Sequence, residues 1–175
     1  MPLRITKCRL SSEMISRMWP CLRSFNSLKH LTISDASLSF PPSPTELPSV
    51  TKLSVKGVTS QSYNGLISSL PGLESIDITM DDEEGDIARY IVVLRRTAGQ
   101  KLKHIYLYGP SSWSSLLRNR GIVSREAIRG LGLFIEEHTK NLVSLYLECV
   151  ECTDENHLVY LIDCCRRVKT MKRVE

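Results

Sequence analysis

No stretch of this chain approaches the ~18 consecutive apolar residues that a membrane-spanning helix requires. The first residues, Met1-Pro-Leu-Arg-Ile-Thr-Lys7, lack the apolar core of a secretion signal, and no Asn-x-Ser/Thr acceptor occurs anywhere. These absences point to a cytoplasmic chain whose six cysteines are reduced thiols. Catalytic signatures are missing too. The sequence has no Gly-x-Ser-x-Gly, no His-Glu-x-x-His and no glycine loop of the kind that cradles phosphate. Its acidic run Asp81-Asp-Glu-Glu-Gly-Asp86 lacks the ligand spacing of a calcium loop and suits the positive end of a helix instead.

What is present is the composition of a folded domain. Apolar residues make up 42% and charged residues 24%, which separates the chain from disordered sequences. Its 175 residues suffice for one domain with a substantial core. The formal charge of +4 owes much to the last ten residues, where Arg166, Arg167, Lys169, Lys172 and Arg173 cluster. A nucleic-acid patch could use those charges, but no aromatic residues are interleaved with them, so nucleic acid is set aside as a partner.

The dominant pattern is a repeat. Apolar-x-x-apolar-x-apolar occurs as Leu28, Leu31, Ile33; as Val50, Leu53, Val55; as Leu73, Ile76, Ile78; as Leu102, Ile105, Leu107; and as Leu142, Leu145, Leu147. The copies are spaced by 22, 23, 29 and 40 residues. The alternating second half of each copy is the period-2 mark of a short strand with one buried face. Leu3 and Ile5 read as a further strand end, matching Leu31 and Ile33. Val168 and Met171 read as the start of a last strand, with Arg173 at its final apolar position. Both termini are thus expected to fall inside repeats, within a longer polypeptide.

Between most copies lies a helical stripe. Met14, Ile15, Met18, Trp19 and Leu22 form one, with Pro20 expected to break or kink it near Trp19. Tyr63, Leu66, Ile67 and Leu70 form another, as do Ile87, Tyr90, Ile91 and Leu94. Ile128, Leu131, Ile135 and His138 follow a cap at Ser124. Leu158, Leu161, Ile162 and Cys165 follow a cap at Thr153. A proline-dense loop, Phe40-Pro-Pro-Ser-Pro-Thr45, replaces the helix of the shortest interval. Residues 109–121, with Trp113, look like an insertion between strand and helix.

Strand, loop and helix recurring behind Leu28-x-x-Leu31-x-Ile33 and its four sister segments resemble the leucine-rich repeat family, in its ribonuclease-inhibitor-like form. That form also makes up the C-terminal sensor regions of NOD-like immune receptors. The resemblance implies an α/β, right-handed leucine-rich-repeat solenoid, with parallel strands on a concave face and helices outside. It would be a single domain over residues 1–175, of about six divergent repeats, truncated at both ends. One departure stands out. The family places Asn or Cys three residues after the last strand leucine, and of the equivalent positions Cys8, Ala36, Val58, Asp81, Pro110 and Val150 only the first obeys.

Stacked repeats turn the alternate strand residues out of the sheet. The candidate partner-binding residues on that face are His30, Lys52, Asp77, His104, Tyr106, Tyr108, Tyr146 and Glu148, with Tyr106 and Tyr146 side by side. Tyrosine supplies wide contact area at low entropic cost, which suits protein recognition. The four histidines, His30, His104, His138 and His157, lie on different units, so no catalytic residue is assigned. Cys149, Cys152, His157, Cys164 and Cys165 could be weighed as zinc ligands. Cys165, however, belongs to a buried stripe, so these are read as core thiols and no metal or other cofactor is assigned. The expected function is non-enzymatic recognition of a protein or other macromolecular ligand, in a NOD-like receptor sensor segment. The alternatives are the substrate-reading domain of an F-box ubiquitin ligase adaptor and a ribonuclease-inhibitor-like enzyme inhibitor.

Overall fold

The structure, a computed structural model, describes residues 7–34, 46–56, 65–79, 91, 94, 101–108, 121–123, 125–137, 141–148, 150–152, 155–169 and 171–174. The strands are β1 (Lys7–Ser11), β2 (His30–Ser34), β3 (Lys52–Lys56), β4 (Ser75–Thr79) and β5 (His104–Tyr108), then β6 (Gly121–Val123), β7 (Ser144–Glu148), β8 (Val150–Cys152) and β9 (Arg173–Val174). Seven of them form one sheet in the order β1-β2-β3-β4-β5-β7-β9, and every neighbouring pair is parallel. Chain order is therefore sheet order, as a repeating strand grammar demands.

Each repeat contributes three rungs to the core. Leu28, Val50, Leu73, Leu102 and Leu142 form one row, and Leu31, Leu53, Ile76, Ile105 and Leu145 the next; all ten are at most 2% exposed. Ile33, Val55, Ile78 and Leu107 make the third row and are equally buried. Burying one such side chain contributes ~1.5–3 kcal/mol. No single repeat could enclose its own rungs, so this stabilisation exists only when neighbouring units stack.

A backbone relay marks the entry to each strand. The Lys29 carbonyl accepts from the N–H groups of Thr51 and Lys52, and Thr51 from Glu74 and Ser75. Glu74 accepts from Lys103 and His104, Lys103 from Val143 and Ser144, and Val143 from Lys172, over 2.7–3.1 Å. One turn earlier, Leu28 donates to Phe25, Val50 to Leu47, Leu73 to Leu70 and Met171 to Val168. Leu47, Leu70 and Val168 are themselves buried, so the repeating unit begins three residues before the sequence pattern shows it.

The outer strands sit elsewhere than their sequence suggests. Cys8 and Leu10, not Leu3 and Ile5, stand opposite Leu31 and Ile33. Cys8 is therefore a strand residue and not the turn residue of the family pattern. Val150, at the corresponding position later in the chain, also lies in a strand, β8. At the far edge Val174 stands opposite Leu145, so Met171 answers to Leu142 and Val168 to the turn before it. The expected strand start at Val168 is thus displaced by three residues.

Helices cover the buried side of the sheet. Helix α1 (Ser12–Leu22) continues through Pro20 to Leu22, so of the expected break or kink near Trp19 the break does not occur. Pro20 is exposed, two residues from the helix end, so its missing N–H removes a single hydrogen bond. Trp19 and Leu22, at 2% and 1% exposure, anchor that last turn. Met14 of the same stripe is 45% exposed and lies off the core. Residues 65–68 are helical, and Leu66, Ile67, Leu70, Ile91 and Leu94 join the core. In α2 (Arg125–Glu137), Ile128, Leu131 and Ile135 are buried together with Phe134. In α3 (Glu155–Arg167) the buried stripe is Leu161, Cys164 and Cys165, while Leu158 is 43% exposed.

Parallel pairing of β6 with β8 makes a second, two-stranded sheet that the sequence pattern did not announce. Gly121, at the end of the expected insertion, pairs with Val150 just beyond β7. The remainder of that insertion with Trp113, the proline segment 40–45, the acidic run 81–86, the expected caps Ser124 and Thr153, and His138 lie outside the described residues. So do Leu3, Ile5, Ala36, Val58, Tyr63, Ile87, Tyr90, Pro110 and Cys149.

Candidate recognition face

Along β2, β3, β4 and β5 the residues between the core rungs form the other face of the sheet, and nearly all are partly exposed. Strict parallel register sets those side chains in rows across the strands at ~4.8 Å intervals. One row runs His30, Lys52, Ser75, His104, Ser144, and the next runs Thr32, Ser54, Asp77, Tyr106, Tyr146. Seven of the eight candidate residues can thus be placed side chain and all. Glu148, the last residue of β7, pairs in register with Tyr108 of β5, and its side chain lies outside the described residues.

The tyrosines converge as their spacing predicts. The ring centroids of Tyr106 and Tyr146 are 6.1 Å apart at 46°, and those of Tyr108 and Tyr146 are 5.7 Å apart at 51°. These tilted contacts fall in the favourable range for aromatic pairs, so Tyr146 of β7 packs on two rings of β5. The three rings are nevertheless only half-buried. They therefore keep surface to offer to a partner.

The β2–β4 side of the face is polar and connected. His30 Nε2 lies 3.3 Å from Ser54 Oγ and 3.4 Å from Thr32 Oγ1. Ser54 donates to Asp77 Oδ2 across 3.4 Å. Burial pushes the Asp77 carboxyl above its usual range, while Lys52, the Ser54 hydroxyl and His30 pull it back. Imidazole, hydroxyl and carboxylate thus occur in that order over three strands. A nucleophile-activating relay needs the imidazole between the other two, and here the hydroxyl is in the middle. The chain is suited to holding three side chains in place on an open face. Further along, His104 Nδ1 lies 2.8 Å from Ser144 Oγ, joining β5 to β7.

His30 and His104 are two strand steps beyond contact, since β3 and β4 intervene. Among the described residues no three His, Cys, Asp or Glu side chains converge as metal ligands. Cys164 and Cys165 are buried in α3, where burial pushes the Cys165 thiol up to about 11. The side chains of Cys152 and His157 lie outside the described residues. Also among the described residues, no helix is long and apolar enough to cross a membrane.

Sequence reasoning placed the rows but missed the bonds between them. Ser54 and Ser144 each bridge to a histidine on a neighbouring strand, and only the register reveals that. The signal was present as the 22-residue offset from Thr32 to Ser54 and the 40-residue offset from His104 to Ser144.

No protein-family model, no curated protein and no solved structure matches this chain.

Proposed function

We propose that this chain is a non-enzymatic recognition module of leucine-rich-repeat type, which binds a protein partner through the open face of its parallel sheet. The observation that carries this reading is the register-aligned row ending in Tyr106 and Tyr146, flanked by Tyr108 on an exposed face. Two large amphipathic side chains packed on a third, yet still half-open, are the kind of centre around which binding energy concentrates. The finer architecture proposed is a right-handed solenoid over the whole chain, its open face concave and its helices outside. Strand order equal to chain order, and turn contacts repeated unit by unit, support it. By its resemblance in strand and helix spacing, the chain is proposed to serve in the cytoplasm as a sensor segment of NOD-like receptor type.

A photo-crosslinking residue installed at Tyr106, and separately at Arg129 on the exposed side of α2, tests the assignment. Discrete protein adducts at position 106 that disappear on Tyr146→Ala are the expected result. Adducts that form only at position 129 would reject the sheet face as the binding surface.

A further inference from the structure

The open face is divided along the sheet. On β3, Lys52 is partly exposed and Lys56 exposed, and His30 lies beside Lys52 on β2. Among the described side chains on the corresponding positions of β2 to β5, Asp77 is the single carboxylate, and it is tied to Ser54 and drawn on by Lys52. From β5 to β7 the same face is aromatic. The β3 strand of this face therefore carries two lysines and the β5–β7 step a tyrosine platform, with the hydroxyls of Ser75 and Thr79 between them.

Resting on the recognition reading above, we infer that the partner presents an acidic polypeptide segment, its Asp or Glu side chains over the middle of β3, within reach of the Lys52 and Lys56 ammonium groups from either side, and an aromatic or aliphatic side chain over Tyr146. Charge complementarity fixes the first half of this assignment. Carboxylates over β3 meet two lysines, and shifted one strand further they would meet Asp77. The tyrosine cluster fixes the second half, because its exposed ring faces gain most by covering an apolar group. Geometry links the halves. From β3 to β7 is three strand steps, or ~14 Å, which an extended segment lying across the strands covers in ~4 residues at ~3.3 Å each. The recognised pattern is thus an acidic pair separated from a bulky apolar residue by about three or four positions. Ser75 and Thr79 in between can bond the segment's backbone with their hydroxyls.

The probe is a displayed library of random peptides of about a dozen residues, a length that exceeds the ~4-residue span. It is selected in parallel on the 175-residue chain and on its Lys52→Glu/Lys56→Glu and Tyr146→Ala variants. The unaltered chain is expected to enrich acidic pairs followed or preceded at that spacing by Trp, Phe or Leu. The charge-reversed variant should enrich Lys or Arg at the same spacing and bind the original peptides at least about tenfold more weakly. Tyr146→Ala should keep the acidic preference and lose the apolar one. If charge reversal leaves the selected composition unchanged while Tyr146→Ala abolishes selection, the acidic inference fails and the sheet-face reading survives. If neither variant changes selection, both fail. A single-stranded oligonucleotide that binds the chain and displaces the peptides overturns the proposal in favour of nucleic acid. Should the reversed variant fail to fold, Lys52→Ala/Lys56→Ala, which must lose the acidic preference, makes the same decision.

Discussion

Gly132 of α2 lies against the hydroxyl end of the Tyr160 ring in α3. A Cβ at that position would come within 2.5 Å of Tyr160 Cε1 and 3.0 Å of its Cζ and hydroxyl. The two helices pack together here because glycine leaves room for the ring. Tyr160 in turn reaches Cys164, whose thiol lies 3.7 Å from Glu136 Oε1, and Arg167 meets the same carboxylate at 3.3 Å. Gly132→Ala is expected to cost about 1–3 kcal/mol by overpacking, read as a shift in the urea midpoint. Because a ring can turn aside, Tyr160→Ala in the same background should recover part of that loss.

Gly72 offers a sharper case. A Cβ there would collide with the backbone carbonyl of Pro48 and approach that of Val50 at 3.3 Å. These carbonyls belong to the turn of the preceding unit, which carries β3 and cannot rotate away. Gly72→Ala should therefore destabilise more than Gly132→Ala, by about 3 kcal/mol or more, and lower the midpoint of thermal unfolding accordingly. Equal midpoints for the two variants would contradict the close stacking of adjacent turns.

The thiols should differ in reactivity. Cys21 is exposed on α1, whereas burial raises both Cys164 and Cys165, the latter to about 11. At pH 8 a thiol of that pKa is thiolate in only about one molecule in a thousand. Iodoacetamide is expected to modify Cys21 well before Cys164 or Cys165, as followed by peptide mass spectrometry. A raised folded pKa also means that the thiol's stabilising contribution is complete below the unfolded value and fades as pH rises through the folded one. The chain should accordingly lose stability from about pH 9 toward pH 11, and Cys165→Ala should flatten that part of the profile.

Asp77 has the same sign at acid pH. Its carboxyl is held above the usual range chiefly by burial, so ionising it in the folded chain costs stability. Asp77→Asn keeps an oxygen for the Ser54 hydroxyl and removes the charge. At pH 7 the variant should be as stable as the parent or up to about 1 kcal/mol more so, and this advantage should shrink toward pH 3. A large loss at pH 7 would mean instead that Lys52 and His30 dominate burial at this site.

Much of this structure was legible in the sequence, for a physical reason. The rungs Leu31, Leu53, Ile76, Ile105 and Leu145 must be apolar to be enclosed, and their spacing therefore reports the register directly. From that register the pairing of Tyr106 with Tyr146 followed by counting. The edges were less readable, because an edge unit has one neighbour and tolerates weaker residues. Cys8 takes a leucine position in β1, and Val174, 43% exposed, takes one in β9. Exposure of Leu158 and Met14 has a different origin: a stripe of apolar residues wider than the core needs leaves its margin outside. Parallel pairing of β6 with β8 was hidden because three-residue strands carry no measurable alternation. The bridge from Ser54 to His30 and Asp77 depends on side-chain direction, which spacing alone does not express.

The most direct test of the recognition face is the affinity of a crosslinked partner, measured by titration calorimetry for Tyr106→Ala, Tyr146→Ala and the control Arg129→Ala. All three side chains are at least partly exposed, so the fold should persist in each variant, as circular dichroism can verify. Each tyrosine substitution is expected to weaken binding by about 2 kcal/mol, roughly 30-fold, with the control unchanged. Unaltered affinity in both tyrosine variants, or a loss confined to Arg129→Ala, would contradict recognition through the sheet.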